Sequence, residues 1–164
     1  MSSTNWDNLV GILEQLHTEL VAMLVLGKRK QQVLIDGNVD ELNNIVNEEE
    51  TLIAEVGKLE RLRTEQFGNL AKGLNLSEHA TIKEIADFFP PPLNTVIQEQ
   101  GVRLTDLTVQ LKRVNADNIS LIKQAMDIIQ FTLESVVGYE RQPAYGTSDK
   151  PTKPRRTLLI DHKI

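Results

Sequence analysis

The sequence contains no cysteine among its 164 residues. Disulfide bridges and thiolate metal ligands are therefore excluded, and the chain is compatible with a reducing compartment. Aromatic residues make up only 4% of the chain, and all six prolines lie at or beyond Pro90. Residues 1–89 thus contain no proline that would interrupt a helix.

Long apolar runs are also missing. No stretch approaches the roughly 18 consecutive apolar residues of a membrane span, and the N-terminal residues lack the basic start and apolar core of a signal peptide. The formal net charge of -5 and the pI near 5.2 argue against nucleic acid as a partner. We therefore expect a cytoplasmic protein without stable membrane insertion.

The sequence lacks recognisable catalytic motifs. It has no glycine-rich phosphate loop and no Ser/His/Asp set within a supporting motif. The histidines, His17, His79 and His162, are far apart, and a carboxylate-bridged metal site in a helical bundle needs two Glu-x-x-His pairs. The chain has one such pair, Glu14 with His17. We therefore expect neither an enzyme nor a bound cofactor.

Apolar residues spaced alternately by four and three mark two long helices in the first half of the chain. They cover residues 5–36 and about 39–70. Gly37 and Asn38 separate them, because glycine accepts a left-handed backbone at a helix end and asparagine caps the next helix. A connection this short joins antiparallel neighbours, so we predict a helical hairpin. Gly27, on the apolar edge of the first helix, predicts a close contact with another helix.

The helical pattern breaks after the second helix. Ser77 is predicted to cap a short helix that runs to about Asp87, and three consecutive prolines at 90–92 then exclude a helix. Phe88 and Phe89 are predicted to plug the open end of the bundle. The sequence thus predicts an all-α fold, an antiparallel helical bundle or coiled coil of three long helices plus a short connecting helix.

The third long helix is the longest and begins directly after the prolines. It is predicted to run from Leu93 to Gly138, about 69 Å at 1.5 Å per residue, against about 48 Å for each of the first two helices. A hairpin of that length covers only about two thirds of the third helix. We call its apolar 4-3 series the first seam: Leu93, Ile97, Gln100, Leu104, Leu107, Leu111, Val114, Asn118, Leu121, Ala125, Ile128 and Thr132.

The uncovered end of the third helix, roughly residues 119–137, is a candidate site for a helical partner. Met126 and Phe131 suit an adaptable binding groove. Two alternatives remain open at this point: the helix is shorter, or it associates with a second copy of the chain. The candidate client-binding residues are Leu121, Ile122, Ala125, Met126, Ile128, Ile129, Phe131, Leu133 and Val136.

Two asparagines precede this candidate surface. Asn118 occupies a core position of the first seam, where a lone polar residue commonly fixes register or oligomeric state at some loss of stability. Asn115 lies one turn earlier. The pair is predicted either to fix register or to mark the boundary where the bundle opens to water.

Residues 139–164 differ in composition from the rest of the chain. Prolines, glycine and serine predict a flexible linker there, and the segment has a charge of about +3, which leaves about -8 on the remainder. We therefore predict a helical-bundle domain, residues 1–138, followed by a flexible basic tail, residues 139–164. The apolar end of the tail, residues 157–164, is predicted to dock either on this chain or on a partner.

Several short segments follow one another in a characteristic order and spacing. They are Lys28-Arg29-Lys30-Gln31, Asp36-Gly37-Asn38-Val39-Asp40-Glu41-Leu42, Glu48-Glu49, Glu60-Arg61-Leu62-Arg63, Asn115 and Asn118 with Leu121, Tyr145-Gly146, and Leu158-Leu159-Ile160-Asp161-His162-Lys163. In this order they resemble the FlgN family of bacterial flagellar export chaperones over nearly the whole chain.

The resemblance implies a cytosolic, non-enzymatic chaperone. It implies that the C-terminal helical region binds the terminal helices of hook-associated junction proteins of the FlgK and FlgL type, and that the complex is delivered to a component of the flagellar export gate. It further implies a tyrosine-bearing C-terminal segment that docks at the gate, for which Tyr139 and Tyr145 are candidates by position. The alternative function is a structural coiled-coil module that homodimerises through the third helix, so the free protein is expected to be a monomer or a homodimer.

Overall fold

A computed structural model describes residues 3–77 and 79–139 of the chain. Within these ranges 89% of the residues are helical and none lies in a strand, so the predicted all-α helical bundle is confirmed. Of the predicted flexible tail, residues 139–164, the structure describes Tyr139 as the last residue of α4, and residues 140–164 lie outside the described residues. The helices are α1 (Ser3–Asp36), α2 (Val39–Gly73), α3 (Ile82–Ala86) and α4 (Leu93–Tyr139), and the bounds of the long ones agree with prediction to within three residues.

The turn between α1 and α2 is determined by two residues. Gly37 has a φ of 67°, a left-handed conformation in which a side chain would be strained. Asn38 precedes α2 in extended backbone, and its Oδ1 accepts a hydrogen bond of 3.1 Å from the backbone N–H of Glu41. The predicted turn is confirmed, and α1 and α2 pack against each other as a hairpin.

Two clusters of buried apolar side chains stabilise the bundle. Near the turn, Leu26 and Val33 of α1 pack with Ile45 of α2. At the opposite end of the hairpin all four helices meet, and burial there removes apolar surface from water at about 25 cal/mol per Å². That larger cluster consists of Trp6, Leu9, Leu13, Leu70, Ala71, Ala80, Ile85, Ala86 and Ile97.

Thr81, and not Ser77, caps the short helix α3. The Thr81 backbone N–H donates to Glu84 Oε2 at 2.6 Å, and the Glu84 backbone N–H donates to Thr81 Oγ1 at 3.2 Å. This reciprocal capping box requires a glutamate or glutamine three residues after the cap, and from Ser77 that position is Ala80. The prediction of Ser77 was therefore wrong.

Phe88 and Phe89 have different environments. The ring of Phe89 stacks on Trp6, with centroids 3.9 Å apart and planes inclined by 27°, and packs against the larger cluster. Phe88 is 55% exposed. The prediction that both rings plug the end of the bundle is confirmed for Phe89 and wrong for Phe88, whose ring is exposed to solvent in the turn that follows α3.

The chain divides into two compact units within α4. The first unit is Met1–Met126 and contains both apolar clusters; the second is Asp127–Ile164, of which the structure describes residues 127–139. The predicted domain boundary after residue 138 stays a prediction.

By length and composition alone, α1 is able to cross a membrane. A window of 18 residues within Trp6–Asp36 has a mean hydropathy of 1.6, and α1 is the single helix of this kind in the part of the chain that the structure describes. Such a helix is weak support for a membrane span, because the core helix of a soluble bundle passes the same test. Leu9, Leu13 and Leu16 of α1 are at most 2% exposed within the bundle.

Ion pairs connect α1 and α2 near the turn. Arg29 bonds Glu41 and also approaches Glu48, Nη1 to Oε1, at 3.3 Å, while Lys30 Nζ lies 2.7 Å from Glu49 Oε2. The hydrogen bond from Arg29 lowers the pKa of the Glu41 carboxyl below its usual 4.5. A carboxyl whose pKa is depressed by folding stabilises the fold fully above its usual pKa, and this contribution is lost as the pH falls through the folded value.

We expect Glu41→Gln to weaken the acid sensitivity of the bundle. Between about pH 6 and about pH 3.5 the free energy of unfolding should fall less for the variant than for the unmodified chain, since the variant has no carboxylate to protonate at this position. Urea unfolding followed by circular dichroism measures the difference. Glu65→Gln, an exposed carboxylate of α2, is the charge-matched control. Identical pH dependence of all three proteins would contradict the expectation.

Candidate partner-binding surface

The first seam of α4 packs against the hairpin over its N-terminal part. Ile97 and Leu107 are 1% and 8% exposed. Further along, a Cβ atom built on Gly27 of α1 would lie only 3.0 Å from Val114 Cγ1. The predicted close contact at Gly27 is therefore confirmed, and α4 is the helix that makes it.

Asn118 makes a polar contact at the same place. Its side chain is 3% exposed, and its Nδ2 donates a hydrogen bond of 2.9 Å to the backbone carbonyl of Gly27. Its Oδ1 is buried and has no hydrogen-bond partner among the residues that the structure describes. Asn115, in contrast, is exposed. That these two residues fix register or mark a boundary stays a prediction.

Burial along α4 changes after Asn118. In the first compact unit Leu121 is half-buried, whereas Ile122, Ala125 and Met126 are exposed, Met126 to 64%. These four are the candidate residues that precede the division within α4.

The five remaining candidates belong to the second compact unit. All are exposed, by between 56% and 72% of their surface, with Phe131 the most exposed. Scattered apolar side chains are common on protein surfaces, but a run of large ones on a single helix is typical of an interaction surface. The five are Ile128, Ile129, Phe131, Leu133 and Val136.

Sequence reasoning omitted two residues of this stretch. Ile119 and Val137 are 54% and 52% exposed, yet neither was among the nine candidates. The signal was present, because Ile119 lies three residues before Ile122 and Val137 lies four residues after Leu133, both helical spacings.

The proposed docking tyrosines are described only in part. Tyr139 is the last residue of α4, and Tyr145 lies outside the described residues. Their role at the export gate stays a prediction.

No metal site comes together in residues 3–77 and 79–139. No group of three or more His, Asp or Glu side chains there is placed to hold a metal ion. A groove of about 650 Å³ runs between α2 and α4 beside α3, with Phe67, Ile82, Gly101 and Val102 in its lining. This groove belongs to the first compact unit, and none of the candidate client-binding residues lines it.

These features define an all-α bundle whose longest helix carries an exposed apolar surface. Against models of protein families, residues 1–153 match the family described as FlgN protein, and the chain belongs to this family. No curated protein and no solved structure matches the chain. FlgN proteins are flagellar export chaperones, so the family assigns the chain to that general class and confirms the resemblance found in the sequence.

We expect Asn118→Leu to stabilise the bundle. The change removes a buried oxygen that has no partner and adds apolar contact beside Gly27, which should raise the free energy of unfolding by about 1 kcal/mol. Urea unfolding measures this, and Asn115→Leu at the exposed neighbour is the control, with an expected change within about 0.5 kcal/mol. A loss of stability in Asn118→Leu would mean that the bond to Gly27 outweighs the unpaired oxygen.

Proposed function

We propose that this protein is a cytoplasmic chaperone of the flagellar type III export pathway. In this proposal it binds the terminal helices of hook-associated proteins, which form the hook-filament junction, and delivers them to the export gate. Membership of the FlgN family supports the class of protein. The observation that carries the proposal is the run of exposed large apolar side chains in α4 after Asn118.

Binding would follow from burial of apolar surface. An amphipathic client helix laid along α4 would remove apolar area from water at about 25 cal/mol per Å², so a few hundred Å² offset much of the cost of ordering the helix. Met126 and Phe131 would let the surface adapt to more than one client, because methionine is flexible and an aromatic ring offers a large contact area. No cofactor and no catalytic step is required.

Delivery would use the C-terminal segment. We propose that Tyr139 or Tyr145 docks at a component of the export gate and that the basic charge of residues 139–164 supports this contact. An electrostatic contact of this kind weakens as the ionic strength rises, since the screening length falls to about 8 Å at 0.15 M salt.

The alternative is a structural module that homodimerises through α4. The same exposed apolar residues favour it, because an unpartnered helical face can also pack against a second copy. In that case the free protein is a stable dimer and does not bind hook-filament junction proteins. A chaperone of the proposed kind forms a 1:1 complex with its client.

We expect the combined change Ile129→Asp with Leu133→Asp to abolish capture of hook-filament junction proteins. Two carboxylates would have to be buried against the client, while the bundle should be unaffected because Ile129 and Leu133 are each 59% exposed. Capture from the lysate of a flagellated bacterium, followed by identification of the bound proteins, measures the effect.

The matched control is Val102→Asp with Val109→Asp. These valines lie earlier in α4 and are 61% and 62% exposed, so the control adds the same charge to the same helix away from the candidate surface. It should capture junction proteins like the unmodified chain. The proposal is refuted if the unmodified chain recovers no flagellar protein, or if both double variants bind equally well.

A further inference from the structure

A second series of apolar residues begins directly after Asn118. It follows the same alternation of three and four as the first seam, and we call it the second seam. All six members are large and exposed, by between 37% and 64%. They are Ile119, Ile122, Met126, Ile129, Leu133 and Val136.

The first seam contains fewer large apolar residues after the point where the second seam begins. Before Asn118 it contains the buried residues Ile97 and Leu107. After Leu121 it continues as Ala125, Ile128 and Thr132, of which only Ile128 is a large apolar residue. Six of the large exposed apolar side chains after Asn118 lie on the second seam, whereas Ile128, Phe131 and Val137 lie off it.

The two seams lie on different faces of α4. Each member of the second seam follows a first-seam position by one residue, as Ile122 follows Leu121 and Ile129 follows Ile128. In an α-helix one residue corresponds to a rotation of about 100°. The face exposed after Asn118 is therefore rotated by about a quarter turn from the face that contacts Gly27 through Val114 and Asn118.

We infer that the client helix docks along the second seam and not along the continuation of the first. This inference rests on the proposed function. The occupant is an amphipathic helix of the exported protein, with its own apolar 4-3 series over about five turns, because the seam from Ile119 to Val136 spans about 27 Å. The first seam up to Asn118 packs against the bundle.

Charge at the edges of the second seam favours a different protein over a second copy. The flanking positions of this repeat are Lys123, Gln130 and Val137 on one side and Ala125 and Thr132 on the other. Lys123 forms no ion pair within the described ranges 3–77 and 79–139. If two copies of the chain paired along the second seam, in parallel or antiparallel orientation, no acidic residue would lie opposite Lys123. The client helix is therefore expected to carry a carboxylate there.

The size of the surface also favours a transient client. The exposed area of the six residues is on the order of 600 Å², less than the about 800 Å² that each partner buries in a standard stable interface. A homodimer held by this surface alone would be weak. A weak interface is suited to a cargo that has to be released.

The test compares Ile129→Asp with Ile128→Asp. The two variants make the same substitution on adjacent residues, and the control residue, Ile128, is the more exposed of the two. Each is titrated calorimetrically against a purified hook-filament junction protein, with circular dichroism to verify that the helices are retained. Ile129→Asp should raise Kd at least about 30-fold and Ile128→Asp less than about threefold, because only the former buries a charge in the interface.

Equal losses, or a larger loss in Ile128→Asp, would overturn the inference and leave the proposed function intact. If the unmodified chain does not bind a junction protein at all, the proposed function fails and the inference fails with it. A dimer of the free chain in light scattering that dissociates in Ile129→Asp would assign the second seam to a second copy and also overturn the inference.

A third variant tests the charge at the edge. Lys123→Glu should raise Kd about fivefold at low salt and less at about 0.5 M salt, because a screened contact loses its electrostatic part. An unchanged Kd would overturn the assignment of an acidic residue to the client helix opposite Lys123.

Discussion

The structure depends on the close approach of α1 and α4 at Gly27. A residue with a side chain at this position would meet Val114 at 3.0 Å, and the same missing side chain leaves the carbonyl of Gly27 open to Asn118. The contact therefore combines apolar packing with one buried hydrogen bond. Among the residues of α4 after Asn118 whose side chains the structure describes, only Leu121 is even half-buried, so α4 becomes exposed directly after this contact.

The exposed apolar surface proposed to bind a partner has to remain soluble when no partner is bound. The last part of α4 meets this requirement through its geometry: backbone donors and acceptors are paired within the helix, and polar side chains such as Lys123, Asp127 and Glu134 alternate with the apolar ones around it. An extended segment with the same apolar residues would expose both its side chains and an unpaired backbone, a template for aggregation. Because the apolar residues lie on a helix, no unpaired backbone is exposed beside them.

Features determined by neighbouring residues were predictable from the sequence, and features determined by tertiary packing were predicted less well. The Gly37-Asn38 turn and the helix bounds depend on local conformation, and both were confirmed. The cap of α3 failed because Ser77 and Thr81 are chemically similar, and only the position of Glu84 distinguishes them. Burial of Phe89 but not Phe88 depends on where Trp6 lies, which no local pattern contains. Ile119 was missed although it lies three residues before Ile122, because its exposure depends on where the bundle ceases to cover α4, a tertiary feature.

The stack of Trp6 on Phe89 has a practical consequence. Trp6 is the only tryptophan of the chain, and it is 2% exposed in the cluster where all four helices meet. From Ile97 in this cluster to Ile119 the distance along α4 is about 33 Å. Intrinsic fluorescence therefore reports whether the base of the bundle is folded, while it is insensitive to what is attached near the other end of the helix. The protein contains its own optical probe for separating loss of folding from loss of binding.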